Sequence, residues 1–89
     1  MAMIHLTVVT PDGKPYDDEA QKVIVRTTSG DVCILPQHID YSAAIGQGEM
    51  RITTPDGNVL RAQVKGGMLH VASNVVQVIT HHVAWTDQN

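Results

Sequence analysis

An all-β fold, a single-domain flattened β-sandwich or barrel of about eight to ten short strands, is predicted by three observations. Apolar and polar residues alternate along most of the chain. Val and Ile together supply 19 residues against four Leu, a bias toward β-branched side chains that suits strands. Turn signals separate the alternating runs, and no stretch keeps a clean helical period. The 89 residues make one domain, residues 1–89. A chain of this size buries roughly 60–65% of its unfolded surface. With no Phe, one Trp and two Tyr, its core must be aliphatic.

Strands are expected near residues 3–10, 21–28, 31–36, 42–46, 48–54, 58–65, 67–72 and 75–84. Val23 and Val25 alternate with Lys22, Ile24 and Arg26; Met50, Ile52 and Thr54 alternate with Arg51 and Thr53. Leu60, Ala62 and Val64 oppose Arg61, Gln63 and Lys65, and Val76, Val78 and Thr80 oppose Val75, Gln77 and Ile79. Pro11-Asp12-Gly13 and Pro55-Asp56-Gly57 are turns: Pro presets φ, Asp bonds its own backbone and Gly accepts positive φ. Gly46-Gln47-Gly48, Gly66-Gly67 and Ser73-Asn74 mark further reversals. Leu35-Pro36 ends a strand, because Pro cannot donate to a ladder. The polar stretch 17–22 reads as a loop, with Asp17-Asp18-Glu19 solvated.

Several function classes are disfavoured. The net charge is −3 and no basic cluster occurs along the chain, which argues against nucleic-acid binding. No apolar run approaches 18 residues, so no membrane insertion is expected. The start, Met1-Ala2-Met3-Ile4-His5, lacks the features of a signal peptide. A lone Cys33 forms no internal disulfide and fits a reducing, intracellular compartment. Among Val32, Ile34 and Leu35 it reads as a buried, inert thiol rather than a nucleophile. Of the five histidines, His5, His38, His70, His81 and His82, the adjacent pair His81-His82 would point to opposite faces of a strand. No ligand spacing for a metal, no catalytic residue and no cofactor motif is read. Trp85 is expected to cap the core, with contact to a partner as the alternative.

Two runs carry more specific information: Ser29-Gly30-Asp31-Val32-Cys33-Ile34-Leu35-Pro36-Gln37-His38, and Gly66-Gly67-Met68-Leu69-His70-Val71. With His5-Leu6-Thr7-Val8-Val9-Thr10 before them, Ala43-Ala44-Ile45 and Gly48-Glu49-Met50-Arg51-Ile52 between, and Val76-Gln77-Val78-Ile79 after, the chain resembles the N-terminal β-sandwich domain of the epsilon subunit of F-type ATP synthases. The resemblance implies a non-catalytic rotor subunit that docks gamma onto the ring of c subunits and couples proton or sodium translocation to ATP synthesis. It implies a peripheral location at the cytoplasmic face of the bacterial plasma membrane. Ser29, Gly30 and Asp31 would face the c-ring, whose loops carry arginine in the family. Thr10, His38 and Ala43 would face gamma. Weak self-association of the isolated domain through a strand edge is a further expectation. The alternative is an unrelated β-sandwich adaptor that binds a protein partner at an exposed edge.

The sequence departs from the family pattern in places. Gln37 stands where Gly is favoured, Asp40 where Pro is favoured, Cys33 at a usual Gly and Asn74 at another. Most members continue into a helical hairpin rich in Ala, Glu, Lys and Arg, which carries ATP binding and inhibition in many bacteria. Here the sequence stops at Asp87-Gln88-Asn89, and neither behaviour is assigned to it.

Overall fold

The structure, a computed structural model, describes residues 2–37 and 40–86. Ten strands run in chain order: β1 (Ile4–Thr10), β2 (Gly13–Ala20), β3 (Lys22–Thr27), β4 (Gly30–Ile34), β5 (Tyr41–Ala44), β6 (Gln47–Thr53), β7 (Val59–Lys65), β8 (Met68–Ala72), β9 (Val75–Ile79) and β10 (Val83–Trp85). They form two five-stranded sheets, ordered β2-β1-β9-β8-β5 and β10-β7-β6-β3-β4. The predicted all-β sandwich is observed.

The core lies between the sheets. Leu6, Val8, Leu69, Val71, Val76 and Val78 descend from the first; Val23, Val25, Ile34, Met50, Ile52, Ala62 and Val64 rise from the second. Period-2 patterning puts every second residue inward, and fully burying each large aliphatic side chain contributes about 1.5–3 kcal/mol. All but one of the neighbouring strand pairs are antiparallel. The exception is β1 against β9, a parallel pair with Leu6 beside Val76 and Val8 beside Val78.

Four expectations change. The stretch 17–22 is not a loop, since β2 continues to Ala20 and pairs with β1, Asp17 opposite Thr7 and Glu19 opposite His5. As an edge strand β2 has one neighbour and is largely bathed in water, so its sequence carries no apolar alternation to read. Cys33 is exposed rather than buried. On β4 the inward positions are Val32 and Ile34, which leaves Asp31 and Cys33 on the solvent side. Trp85, on the three-residue edge strand β10, stays 43% exposed, too peripheral to be enclosed. The predicted strand 75–84 also breaks in two: β9 belongs to the first sheet and β10 to the second, with buried Thr80 at the crossing.

The reversals follow the turn chemistry. Ser73 and Asn74 take φ of 51° and 65° between β8 and β9, as a tight two-residue hairpin requires. Gly67 sits at φ 122°, and a Cβ there would lie 1.9 Å from the carbonyl oxygen of Ile79, so only glycine fits.

Candidate functional site

One end of the sandwich gathers the ends of several strands. Thr80 N–H donates to the Val9 carbonyl at 3.0 Å, and the Thr80 hydroxyl donates to the Gly66 carbonyl at 2.8 Å. Ile45 N–H reaches the Gly67 carbonyl at 2.9 Å, and Thr28 N–H reaches the Ala44 carbonyl at 3.0 Å. These bonds draw the β3–β4 turn, the β5–β6 connection and the β7–β8 and β9–β10 reversals into one cluster, and Val9 brings the end of β1 to it.

On the outer face of the first sheet, that end is apolar. Val9 pairs with Ile79, Ile79 with Met68 and Met68 with Ala44, a continuous row across four strands. Ile79 and Met68 are 46% and 47% exposed, where soluble strands ordinarily place polar side chains. The row borders a groove of about 340 Å³ lined by Val9, Pro11, Gly67, Met68, Ile79 and Thr80 among others. The next row inward is polar: Thr7, Gln77, His70 and Ser42, with Ser42 Oγ 2.9 Å from His70 Nδ1.

The β3–β4 turn projects beside this row. The Thr27 hydroxyl donates to the Gly30 carbonyl at 2.8 Å and accepts from Ser29 N–H at 3.1 Å. Thr27 itself is buried, so the turn is anchored from beneath. Asp31 accepts from Arg26 Nε at 2.6 Å. This hydrogen bond, aided by the charges of Arg26 and Arg51, holds the Asp31 carboxyl below its ordinary range and raises Arg26. The second Asp31 oxygen is only loosely held, 3.5 Å from Arg26 Nη2.

Of the residues expected to face gamma, Thr10 and Ala43 lie near this end. Thr10 has a turn role: its hydroxyl donates to the Gly13 carbonyl at 3.3 Å and accepts from Asp12 N–H at 3.2 Å. Ala43 pairs with buried Leu69 and so lies on the core side of the edge strand β5. Ser42 and Ala44 are the outward residues of that strand. His38 lies outside the described residues. Gln37 sits at the opposite end of the first sheet, at φ 66°, its N–H donating to Asn74 Oδ1 at 2.5 Å. Positive φ explains why glycine suits position 37 and asparagine position 74. Val9, Ala44, Met68 and Ile79 were missed as a surface. The signal was present in Ile79, an apolar residue at the solvent phase of an alternating strand.

A two-sheet β domain here carries an apolar patch beside a charged, anchored turn, and its described residues bring no cluster of metal-binding side chains together. Residues 3–86 match the family model described as ATP synthase, Delta/Epsilon chain, beta-sandwich domain, and the chain belongs to that family. Over 89 residues it is 36% identical to the ATP synthase epsilon chain of Ruminococcus albus, covering 99% of this chain and 66% of that one. It is 37% identical to the ATP synthase epsilon chain of Alkalihalophilus pseudofirmus over 89% of this chain and 59% of the relative. The chain therefore spans somewhat under two thirds of these relatives. Among solved structures, a chain of the Euglena gracilis mitochondrial ATP synthase, solved as OSCP/F1/c-ring, superimposes with a TM-score of 0.90 at 22% identity. That match covers 96% of this chain and 54% of the other, and shows the shared fold.

Proposed function

We propose that the chain acts as a rotor-stalk component of an F-type ATP synthase, docking gamma to the c-ring and itself catalysing nothing. The observation that carries this reading is the placement of an apolar row and an anchored acidic turn at one end of a rigid sandwich. Two unlike surfaces held in fixed relation can bind two partners and transmit force between them. Family membership over residues 3–86 and the epsilon-chain relatives support the assignment.

In this reading the turn Ser29-Gly30-Asp31 meets the polar loops of the c-ring, with Asp31 offering a carboxylate to an arginine. Gamma covers the end of the first sheet that carries Thr10 and Ala43, and Val9, Ala44, Met68 and Ile79 supply the apolar contact. His38 is kept in the gamma-facing set on the resemblance alone. The assembly would hold the chain at the cytoplasmic face of the bacterial plasma membrane. Among the described residues no helix is long and apolar enough to cross a membrane.

The test is co-expression with gamma and the c-ring of the same organism, followed by purification through a tag on gamma. Recovery of all three supports the reading. The variant Asp31→Lys is expected to lose the c-ring while keeping gamma and its fold. A folded chain that binds neither partner would overturn the docking role.

A further inference from the structure

Along the sequence the cations are scattered, yet five of the six lysine and arginine residues share one surface. Lys22 and Arg26 on β3, Arg51 on β6, and Arg61 and Lys65 on β7 occupy outward positions of the second sheet. Their sequence neighbours Val23, Val25, Thr27, Met50, Ile52, Ala62 and Val64 are buried. Arg51 stands directly opposite Arg61. Lys22 lies beside Thr53, one outward step from Arg51. Two carboxylates, Asp31 and Glu49, share the face. The chain as a whole is at −3, while five cations against two acids leave this face at +3. The opposing charge is elsewhere: Asp12, Asp17, Asp18 and Glu19 sit on the β1–β2 hairpin with Lys14.

Like charges directly across a ladder are unfavourable by themselves. Glu49 relieves the pair only in part, with one oxygen 3.5 Å from Arg51 Nε and 3.8 Å from Arg61 Nη1. Each guanidinium has five N–H donors in a planar fork suited to carboxylates, so most donors of this pair remain available. Arg26 is oriented differently: its stem packs over Gly48, where a Cβ would come within 3.0 Å of Arg26 Cγ, and its head is committed to Asp31. The open site is thus Arg51, Arg61 and Lys22, with Lys65 further along β7.

We propose that the outer face of the second sheet is a docking surface for an acidic protein segment, whose carboxylates bind the Arg51–Arg61 pair and Lys22. The scale suits a few carboxylates: the two strand spacings from β3 to β7 span about 10 Å. Asp31 and Glu49 interrupt the cations, so a discrete segment fits better than a continuous phosphate backbone. The proposal is independent of the rotor reading, which uses the other sheet and the β3–β4 turn.

The test is fluorescence anisotropy of the full chain with a labelled ten-residue Glu/Ser peptide. Saturable binding is expected, weakening by about an order of magnitude as salt screens the charges. The double variant Arg51→Gln/Arg61→Gln is expected to weaken binding about tenfold, and Lys14→Gln on the other sheet to leave it unchanged. Should the double variant not fold, Lys22→Gln takes its place, with a loss of about threefold expected. Absence of saturable binding, or an equal loss in Lys14→Gln, overturns the proposal. So does tighter binding to phosphatidylserine vesicles than to the peptide, which would assign the face to lipid.

Discussion

The two outer faces of the sandwich are built from the same alternating strands and end with opposite chemistry. On the first sheet, the outward row Val9, Ile79, Met68 and Ala44 is apolar and borders a groove. On the second, the outward positions include Lys22, Arg26, Asp31, Glu49, Arg51, Arg61 and Lys65, with Ile24, Cys33, Thr53 and Gln63 between them. The inward residues of both sheets are interchangeable in kind, Val, Ile, Leu and Met. The core therefore explains that the chain folds, whereas its partners are selected by what the other half of each strand carries. An apolar row favours a lasting, water-excluding contact; a mixed-charge face favours a salt-sensitive one.

The sharpest way to break the comparison is at Gly67, which lets β8 begin directly against β9 and so builds the apolar row. Gly67→Ala places a Cβ against the Ile79 carbonyl at a φ of 122°. We expect a loss of about 3 kcal/mol or more, from backbone strain and overpacking together, read by urea denaturation. A change under about 1 kcal/mol would show that the hairpin relaxes freely.

Next in size is Ile79→Asp, which should cost the fold only about 1 kcal/mol because the side chain is half exposed. Gamma binding should fall by about fiftyfold, a loss of roughly 2 kcal/mol typical of a central apolar contact. Arg61→Gln on the opposite face should leave gamma binding intact. Equal losses in the two variants would erase the distinction between the faces.

A smaller effect is expected at Thr27→Val. The buried hydroxyl bonds Gly30 and Ser29 within the turn, and its removal should cost about 1–2 kcal/mol by thermal or chemical unfolding. The turn amides of Ser29 and Gly30 should exchange faster in the variant than those of β8.

The smallest effect concerns Asp31 and pH. Its carboxyl is held low by the Arg26 hydrogen bond, so the folded state binds that proton less readily than the unfolded chain. The contribution is present above the ordinary carboxylate range, near 4, and is lost as pH falls through the lower folded value. In Asp31→Asn this acid-dependent component should vanish, and the Arg26 Nε resonance should move relative to the parent chain in NMR. An unaltered acid profile would mean that the pair is not closed in solution.

Much of this was legible beforehand, and the reasons are local. Alternation at Met50-Arg51-Ile52 or Ala62-Gln63-Val64 reports which side of a strand is dry, because burial acts on each residue separately. Pro55-Asp56-Gly57 and Gly66-Gly67 announce turns through their own backbone preferences. β2 was not legible, since an edge strand in water needs no apolar pattern to pair with β1. Cys33 was misread for a related reason: its apolar neighbours Val32 and Leu35 suggested burial, while the phase of β4 turned it outward. The candidate site divided in the same way. The turn at Ser29-Gly30-Asp31 was visible as a short polar reversal, whereas Thr10 and Ala43 are flanked by the residues that form the apolar surface.

By itself the sequence determined the all-β class, the inward residues, most turns and the family resemblance, because each depends on the side chain and on neighbours within a few positions. Tertiary structure alone decided that β1 lies parallel to β9, that Val9 and Ala44 meet Ile79 and Met68, and that Lys22, Arg51, Arg61 and Lys65 share a face. Those outcomes depend on register between strands far apart in the chain, where a one-residue slip would move every side chain to the other surface.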